Sequence, residues 1–273
     1  MIRSRRLSEA GFLHAFSTRE GGVSAPPFDA MNLARSVGDD PAAVAENHAR
    51  FARSAGYAGE LLAESTQVHG VRCLDVDAFV TDGRLEQERV RAEQADALVA
   101  TARSVALGVR TADCVPILVG DPATGAVSAI HAGWRGAVDG VVPRAIETLL
   151  SRGARAESLV VAIGPHIRVL SFEVGEDVAR AIEGALPRAH VERAEKIAGA
   201  TVDRSLGPRP HASLATLVLA QLLSLGVDPH RVDDVGGDTC ADRSRFHSHR
   251  RDGARSGRQL SVIVARAGQL SGG

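Results

Sequence analysis

The chain has 273 residues, 44% apolar, 24% charged and 3% aromatic, with a net charge of −1. That length allows one large domain or two intimate halves, with aliphatic side chains filling a core that has few aromatics. The charge balance gives no global drive toward nucleic acid or an anionic membrane, and no run of about 18 apolar residues is present to span a bilayer. Asp40-Pro41 supplies a cap and a first-turn proline for a helix predicted to run to about Ala55. The highly charged stretch 83–94 reads as a loop. Strands are expected over 95–100, 105–110, 116–119 and 126–132, with Pro122-Ala123-Thr124-Gly125 as the turn joining the last two into a hairpin. A helix over 138–151, a strand over 159–163 and a helix over 178–185 follow. A loop over 205–210 carries two prolines and a glycine. The helix expected over 213–225 places Leu214, Leu217, Val218, Gln221, Leu222 and Leu225 at helical spacing, and a strand over 260–265 closes the pattern. Helices and strands mix without strict βα alternation, which predicts an α+β fold with mixed sheets covered by helices.

Cys73, Cys114 and Cys240 are odd in number and far apart, unlike a secreted disulfide framework. The N-terminus, Met1-Ile2-Arg3-Ser4-Arg5-Arg6, has charge but no apolar stretch after it, so a reducing cytoplasm is the expected compartment. Lys196 is the only lysine, which points to genome composition.

Three stretches carry the chemistry: Ser65-Thr66-Gln67-Val68-His69-Gly70, Thr111-Ala112-Asp113-Cys114-Val115-Pro116 and Ala129-Ile130-His131-Ala132-Gly133-Trp134-Arg135-Gly136. Each places a metal-capable or nucleophilic side chain at the end of an expected strand. Two imidazoles and a thiolate make three protein ligands, which on zinc leave a fourth position for water or substrate. The gaps, 45 residues from His69 to Cys114 and 17 from there to His131, are too long for a zinc finger. Spacing alone leaves three readings open: a metal centre, a Cys114 nucleophile with a histidine base, or buried polar residues with Cys114 as a small apolar side chain.

Other candidates have two readings each. Gly133-Trp134-Arg135-Gly136 between a strand and a helix resembles an anion cradle, but serves equally as a tight turn. Trp134 is a stacking surface for a purine or a wall of the core. The stretch 243–258 has six arginines (Arg243, Arg245, Arg250, Arg251, Arg255, Arg258), suited to phosphate or to solvent. Arg19 reaches a substrate anion or pairs with an acid, and Asn47 lies in the first helix. His14, His48, His190, His211 and His230 have no supporting motif, and His166 is kept outside the site.

The chain also resembles a known family. The match begins at His14-Ala15-Phe16-Ser17-Thr18-Arg19-Glu20-Gly21-Gly22-Val23-Ser24, passes Met31-Asn32-Leu33 and Asn47, and takes in the three stretches above. It continues through Ile163-Gly164-Pro165-His166 and Phe172-Glu173-Val174-Gly175. It ends on Asp238-Thr239-Cys240, Arg245-Phe246-His247-Ser248-His249-Arg250-Arg251-Asp252-Gly253 and Ser256-Gly257-Arg258-Gln259. This ordered set is similar to the YfiH-like, laccase-domain family, also called multicopper polyphenol oxidase or purine nucleoside phosphorylase. The resemblance implies a single domain, with its core over about 12–265, folded as a layered α/β/β/α sandwich of two related halves. It implies that His69, Cys114 and His131 form a metal-binding active site. Arg19, Asn47, Arg135 and Arg250 are the expected contacts to substrate and phosphate. The implied cofactor is zinc, with copper as the alternative, and the implied reaction is phosphorolysis of adenosine, inosine or methylthioadenosine, with adenosine deamination beside it. The expected partners are a purine nucleoside and phosphate, with neither nucleic acid nor membrane, on a monomer. A metal-free Cys/His hydrolase or amidase, a copper polyphenol oxidase and a peptidoglycan-precursor editing factor are the alternatives. Against the copper oxidase, the chain has one His-x-His string, His247-Ser248-His249, and only Met1 and Met31 for an axial thioether. Two positions depart from the pattern: Pro208-Arg209-Pro210-His211-Ala212-Ser213 before the late helix, and His249, where tyrosine is common.

Overall fold

The computed structural model describes residues 1–266. A six-stranded sheet runs in the order Val232–Asp234, Val160–Ile163, Val115–Gly120, Val127–Ala132, Ala97–Ala100, Cys73–Asp75. A four-stranded sheet runs His14–Phe16, Gln259–Val264, Ala106–Thr111, Leu62–Ala63. Both mix parallel and antiparallel pairs. Their central strands are apolar almost throughout, because both faces of each sheet are covered.

Side chains alternate between faces along a strand, and this sorts the core into three interfaces. Leu98, Leu118, Val127 and Ala129 turn inward and meet Phe16, Leu107, Val109 and Ile263 between the sheets. Ala97, Val99, Ile117, Val119 and Ile130 turn outward onto the helices Val141–Leu150 and Leu214–Ser224. Ala15, Ala106, Leu260 and Val262 pack on the helix Pro41–Ala55 through Phe51, Ala52 and Ala55. The result is the α/β/β/α sandwich of mixed sheets. Leu118 is fully buried between the sheets, and truncating such a leucine to alanine costs about 2–5 kcal/mol.

Three differences from the sequence pattern have physical causes. The helix expected over 138–151 is two helices, Trp134–Asp139 and Val141–Leu150, because Gly140 adopts a left-handed φ of 96° between them. The stretch 83–94, expected as a loop, holds the strand Arg84–Leu85 and the helix Gln87–Ala92, pinned by the fully buried Val90. The helix Arg188–Ala198 buries only Val191 and Ala194, so its sequence carries a faint apolar stripe. That helix explains why Leu219, Ala220 and Leu223, off the expected face of Leu214–Ser224, are buried too. The same late helix starts cleanly despite its unusual lead-in, because the Ser213 hydroxyl accepts the Thr216 N–H. Among the described residues no helix is long and apolar enough to cross a membrane.

Candidate metal centre

The sandwich gathers the three predicted residues. His131 lies near the end of Val127–Ala132, on the strand face shared by Val127 and Ala129. Cys114 sits in the tight turn between Ala106–Thr111 and Val115–Gly120, and His69 in the loop after Leu62–Ala63. Their ligand atoms all lie within 4.8 Å of one another, and Cys114 Sγ is 3.8 Å from His69 Nε2. The rings of His69 and His131 meet edge to face with centroids 4.8 Å apart. His131 is buried, Cys114 half-buried and His69 exposed, so one side of the cluster is open.

Two backbone features hold the cluster. His69 has φ 60° and Asp113 has φ 89°, left-handed conformations that cost roughly 1–3 kcal/mol in a non-glycine residue. Asp113 is fixed by accepting the Thr239 hydroxyl at 2.7 Å and the Arg250 N–H at 2.6 Å, while its own carbonyl accepts the Ile167 N–H. His69 is fixed by Asp96, a residue that the sequence pattern did not single out.

Asp96 is 1% exposed and joins two of the three segments. Its Oδ2 accepts the Val68 and Gly70 N–H groups at 3.1 and 2.8 Å, and its Oδ1 accepts the His69 N–H at 2.9 Å. Oδ1 also lies 2.7 Å from His131 Nδ1. An Nδ1–H directed at Asp96 leaves the Nε2 lone pair of His131 for Cys114 or a metal, the usual outer-shell support for a ligating histidine. Burial opposes ionisation of Asp96, but the bonds from His131 and Gly70 outweigh it and hold its carboxyl below the ordinary range. Burial likewise opposes the Cys114 thiolate. The His131 charge and hydrogen bonds from His131 and His69 overcome this, so the thiol titrates below its ordinary value. His131 is raised in return, burial being outweighed by Cys114 and Asp96.

Gly133 makes room for the cluster. A Cβ there would stand 2.5 Å from His69 Cδ2 and 3.3 Å from Cys114 Sγ. At Gly136 a Cβ would stand 2.8 Å from the Gly70 carbonyl. The Gly-Trp-Arg-Gly stretch therefore acts as a close-approach turn for the His69 loop. Trp134 packs against the helix-side core and carries the Arg135 guanidinium 4.5 Å from its ring centroid.

The cluster opens into a cavity of about 580 Å³ that also receives Arg35, Arg91, Arg110, Arg258 and His249. No aspartate or glutamate among the described residues lines it. Burial lowers the Arg258 pKa, partly offset by Cys114 and Asp113, so this guanidinium is a desolvated charge close to the centre. Arg35, Arg91 and Arg110 were not singled out because an isolated arginine carries no sequence signal, and their convergence depends on the sheet packing.

The four expected substrate contacts lie elsewhere. The Arg19 guanidinium is bound to the Asp29 carboxylate and to the Asp29 and Arg243 carbonyls. Asn47 is buried, donates to Ser24 Oγ and the Ala30 and Asn32 carbonyls, and accepts the Val23 N–H. Arg135 is exposed on Trp134. Arg250 donates to the Glu173 carbonyl and lies over Phe172, approaching the centre only through the backbone N–H that Asp113 accepts. None of the four lines the cavity. His166, kept outside the site, is buried and bonded to the Gly164 carbonyl.

Residues 13–266 match the family model for multi-copper polyphenol oxidoreductase laccase, and the chain belongs to that family. Within it, the chain is 40% identical over 262 residues to a Mycobacterium tuberculosis protein named purine nucleoside phosphorylase, covering 96% of this chain and 92% of that one. It is 38% identical over 250 residues to a Deinococcus radiodurans protein of the same name, covering 92% and 88%. Among solved structures, YlmD from Geobacillus stearothermophilus superposes with a TM-score of 0.83 at 29% identity, covering 94% of this chain and 93% of that one. The Bacillus licheniformis hypothetical protein YfiH gives 0.81 at 27% identity, covering 93% and 92%.

Proposed function

We propose that the protein is a zinc-dependent purine nucleoside phosphorylase acting on adenosine, inosine or methylthioadenosine. The observation that carries this is the His69–Cys114–His131 cluster open to a cavity that, among the described residues, receives four guanidiniums and no carboxylate. The names of relatives at 38–40% identity support it. Two imidazoles and a thiolate suit zinc and copper alike. Zinc is the better reading, because no methionine lines the cavity and His247, half of the one His-x-His string, is not in the cluster.

In phosphorolysis a phosphate oxygen bonds to the ribose anomeric carbon as the carbon–nitrogen bond to the base breaks. The bonding electrons leave on the purine, and the products are the free base and a pentose 1-phosphate. A zinc ion held by His69, Cys114 and His131 would supply Lewis-acid charge for such a step. Asp96 holds the His131 ring and the His69 loop in place. The four guanidiniums favour an anionic co-substrate and stabilise negative charge inside a partly dehydrated cavity. Adenosine deamination is a companion activity proposed for the same open face, read out as ammonia release.

A second reading is a metal-free hydrolase with Cys114 as nucleophile, favoured by the lowered thiol and the flanking imidazoles. Product analysis separates the two. Incubation with inosine and phosphate should give equal amounts of hypoxanthine and pentose 1-phosphate. Free ribose, or no product without a cleavable ester or amide, would sink the phosphorylase reading.

A further inference from the structure

We propose that Arg258 and Thr111 form the subsite for inorganic phosphate, on the cavity wall shared with Cys114. This rests on the phosphorylase reading and deepens it. Of the four guanidiniums in the cavity, three are committed. Arg91 pairs with Glu88. Arg35 and Arg110 share the buried Glu64, at 4.0 and 3.5 Å, and Arg110 also donates to the Ser65 carbonyl at 3.0 Å. Arg258 differs. Its Nη1 donates to the Ser256 and Gly257 carbonyls at 2.7 and 2.9 Å, which fixes one side of the fork. Among the described residues it has no ion pair, and no acceptor meets its Nε or Nη2. Its backbone N–H is tied to Asn32 Oδ1 at 3.0 Å, so the side chain springs from a fixed point. An anchored, half-buried guanidinium with two donors left is suited to two-point recognition of an oxyanion.

Thr111 provides the second, independent observation. It lines the same cavity, is 2% exposed, and its buried hydroxyl has no hydrogen-bond partner. A buried hydroxyl without a partner is costly, and a ligand oxygen would satisfy it. Thr111 pairs across the sheet with Gln259, the residue after Arg258, and both Thr111 and Arg258 line this one cavity. Arg110 and Arg35 add positive field around the same space. A cavity of about 580 Å³ has room for a phosphate and a nucleoside together.

The test uses the zinc-loaded full chain, with Arg258→Gln, Arg258→Lys, Thr111→Val and, as a charge-matched surface control, Arg193→Gln. Inorganic phosphate is titrated by calorimetry at low salt, labelled inosine is bound separately by equilibrium dialysis, and the phosphate KM for base release is measured. Arg258→Gln should weaken phosphate by about ten- to a hundredfold, the effect of losing hydrogen bonds to a charged group, with Arg258→Lys intermediate. Thr111→Val should weaken it about three- to tenfold, and Arg193→Gln not at all. Inosine binding should stay within about twofold throughout. Unchanged phosphate affinity in both Arg258→Gln and Thr111→Val, equal loss of inosine binding, or binding of a nucleoside 5′-phosphate but not of inorganic phosphate would each overturn the subsite. Phosphorolysis whose phosphate KM ignores both residues keeps the enzyme reading and removes the subsite. Arg258-dependent phosphate binding in a protein that releases no base does the reverse.

Discussion

Asp96→Asn is the substitution with the most to say about how the centre is built. Each carboxylate oxygen of Asp96 serves two donors: Oδ2 takes Val68 and Gly70, and Oδ1 takes His69 and His131. An asparagine of the same shape turns one oxygen into an NH₂ group, which cannot accept. With the amide nitrogen at the Oδ2 position the Val68 and Gly70 N–H groups lose their acceptor; at the Oδ1 position the His69 N–H does, and His131 must change tautomer to accept through Nδ1. At about 1–3 kcal/mol per orphaned group, the loss is about 1–6 kcal/mol. In a chain of this size each kcal/mol moves the melting temperature by about 2–4 °C, so a fall of at least about 2 °C is expected. With one of the two ligand segments unmoored, zinc affinity should drop about 10–100-fold. Circular dichroism melts and competition against a chelating dye measure the two effects. An Asp96→Asn protein that melts and binds zinc like the wild type would refute the claim that this carboxylate holds the cluster.

Gly133→Ala should act on the cluster rather than the fold. The glycine has φ −72°, which alanine accepts, but the new Cβ would press on the exposed His69 ring. Zinc affinity should fall about tenfold or more with a destabilisation of only about 1–3 kcal/mol, and a wild-type affinity would contradict the geometry. Alkylation of the metal-free protein at neutral pH should label Cys114 before Cys73, whose thiol is pushed up to about 11 by burial. Zinc should then protect Cys114. Mass spectrometry finding Cys73 modified first, or Cys114 unprotected by zinc, goes against the assignment. Burial holds His166 and His247 at about 4, below the ordinary 6.5, with Arg168 and Arg19 respectively as the next cause. Between those values the unfolded chain binds protons that the folded chain refuses. Their stability contribution is therefore complete above pH 6.5 and shrinks as pH falls toward 4. Urea unfolding at pH 7, 5.5 and 4.5 should show a declining midpoint that His166→Asn flattens, and a pH-independent midpoint would dispose of the argument.

The central strands were legible because each is an apolar run bounded by turn residues, and Pro122-Ala123-Thr124-Gly125 forms the expected hairpin turn. The edge strands Leu62–Ala63, Cys73–Asp75 and Val232–Asp234 have two or three residues, too few to display alternation. The helix Arg188–Ala198 was illegible for a different reason: two buried side chains make only a faint stripe. His69, Cys114 and His131 could be grouped before their positions were known because each stands beside small or turn-forming residues in motifs that resemble the family; only His131 proves to lie in a strand, with His69 in a loop and Cys114 in a turn. Asp96 could not, since nothing local marks an aspartate between Ala95 and Ala97 as the acceptor for four distant donors. The cationic cavity was equally hidden, because Arg35, Arg91, Arg110 and Arg258 converge from segments scattered over most of the chain. Arg19, Asn47 and Arg250 drew notice as motif residues, yet their polar groups largely hold loops together.

The most direct test of the account is phosphate-dependent release of base from adenosine and inosine, run side by side on zinc-loaded wild type and Cys114→Ala. Release that requires phosphate and collapses in the variant is the predicted result. No release by wild-type protein shown to be folded and zinc-bound would contradict the account and transfer the cluster to Cys–His hydrolase chemistry.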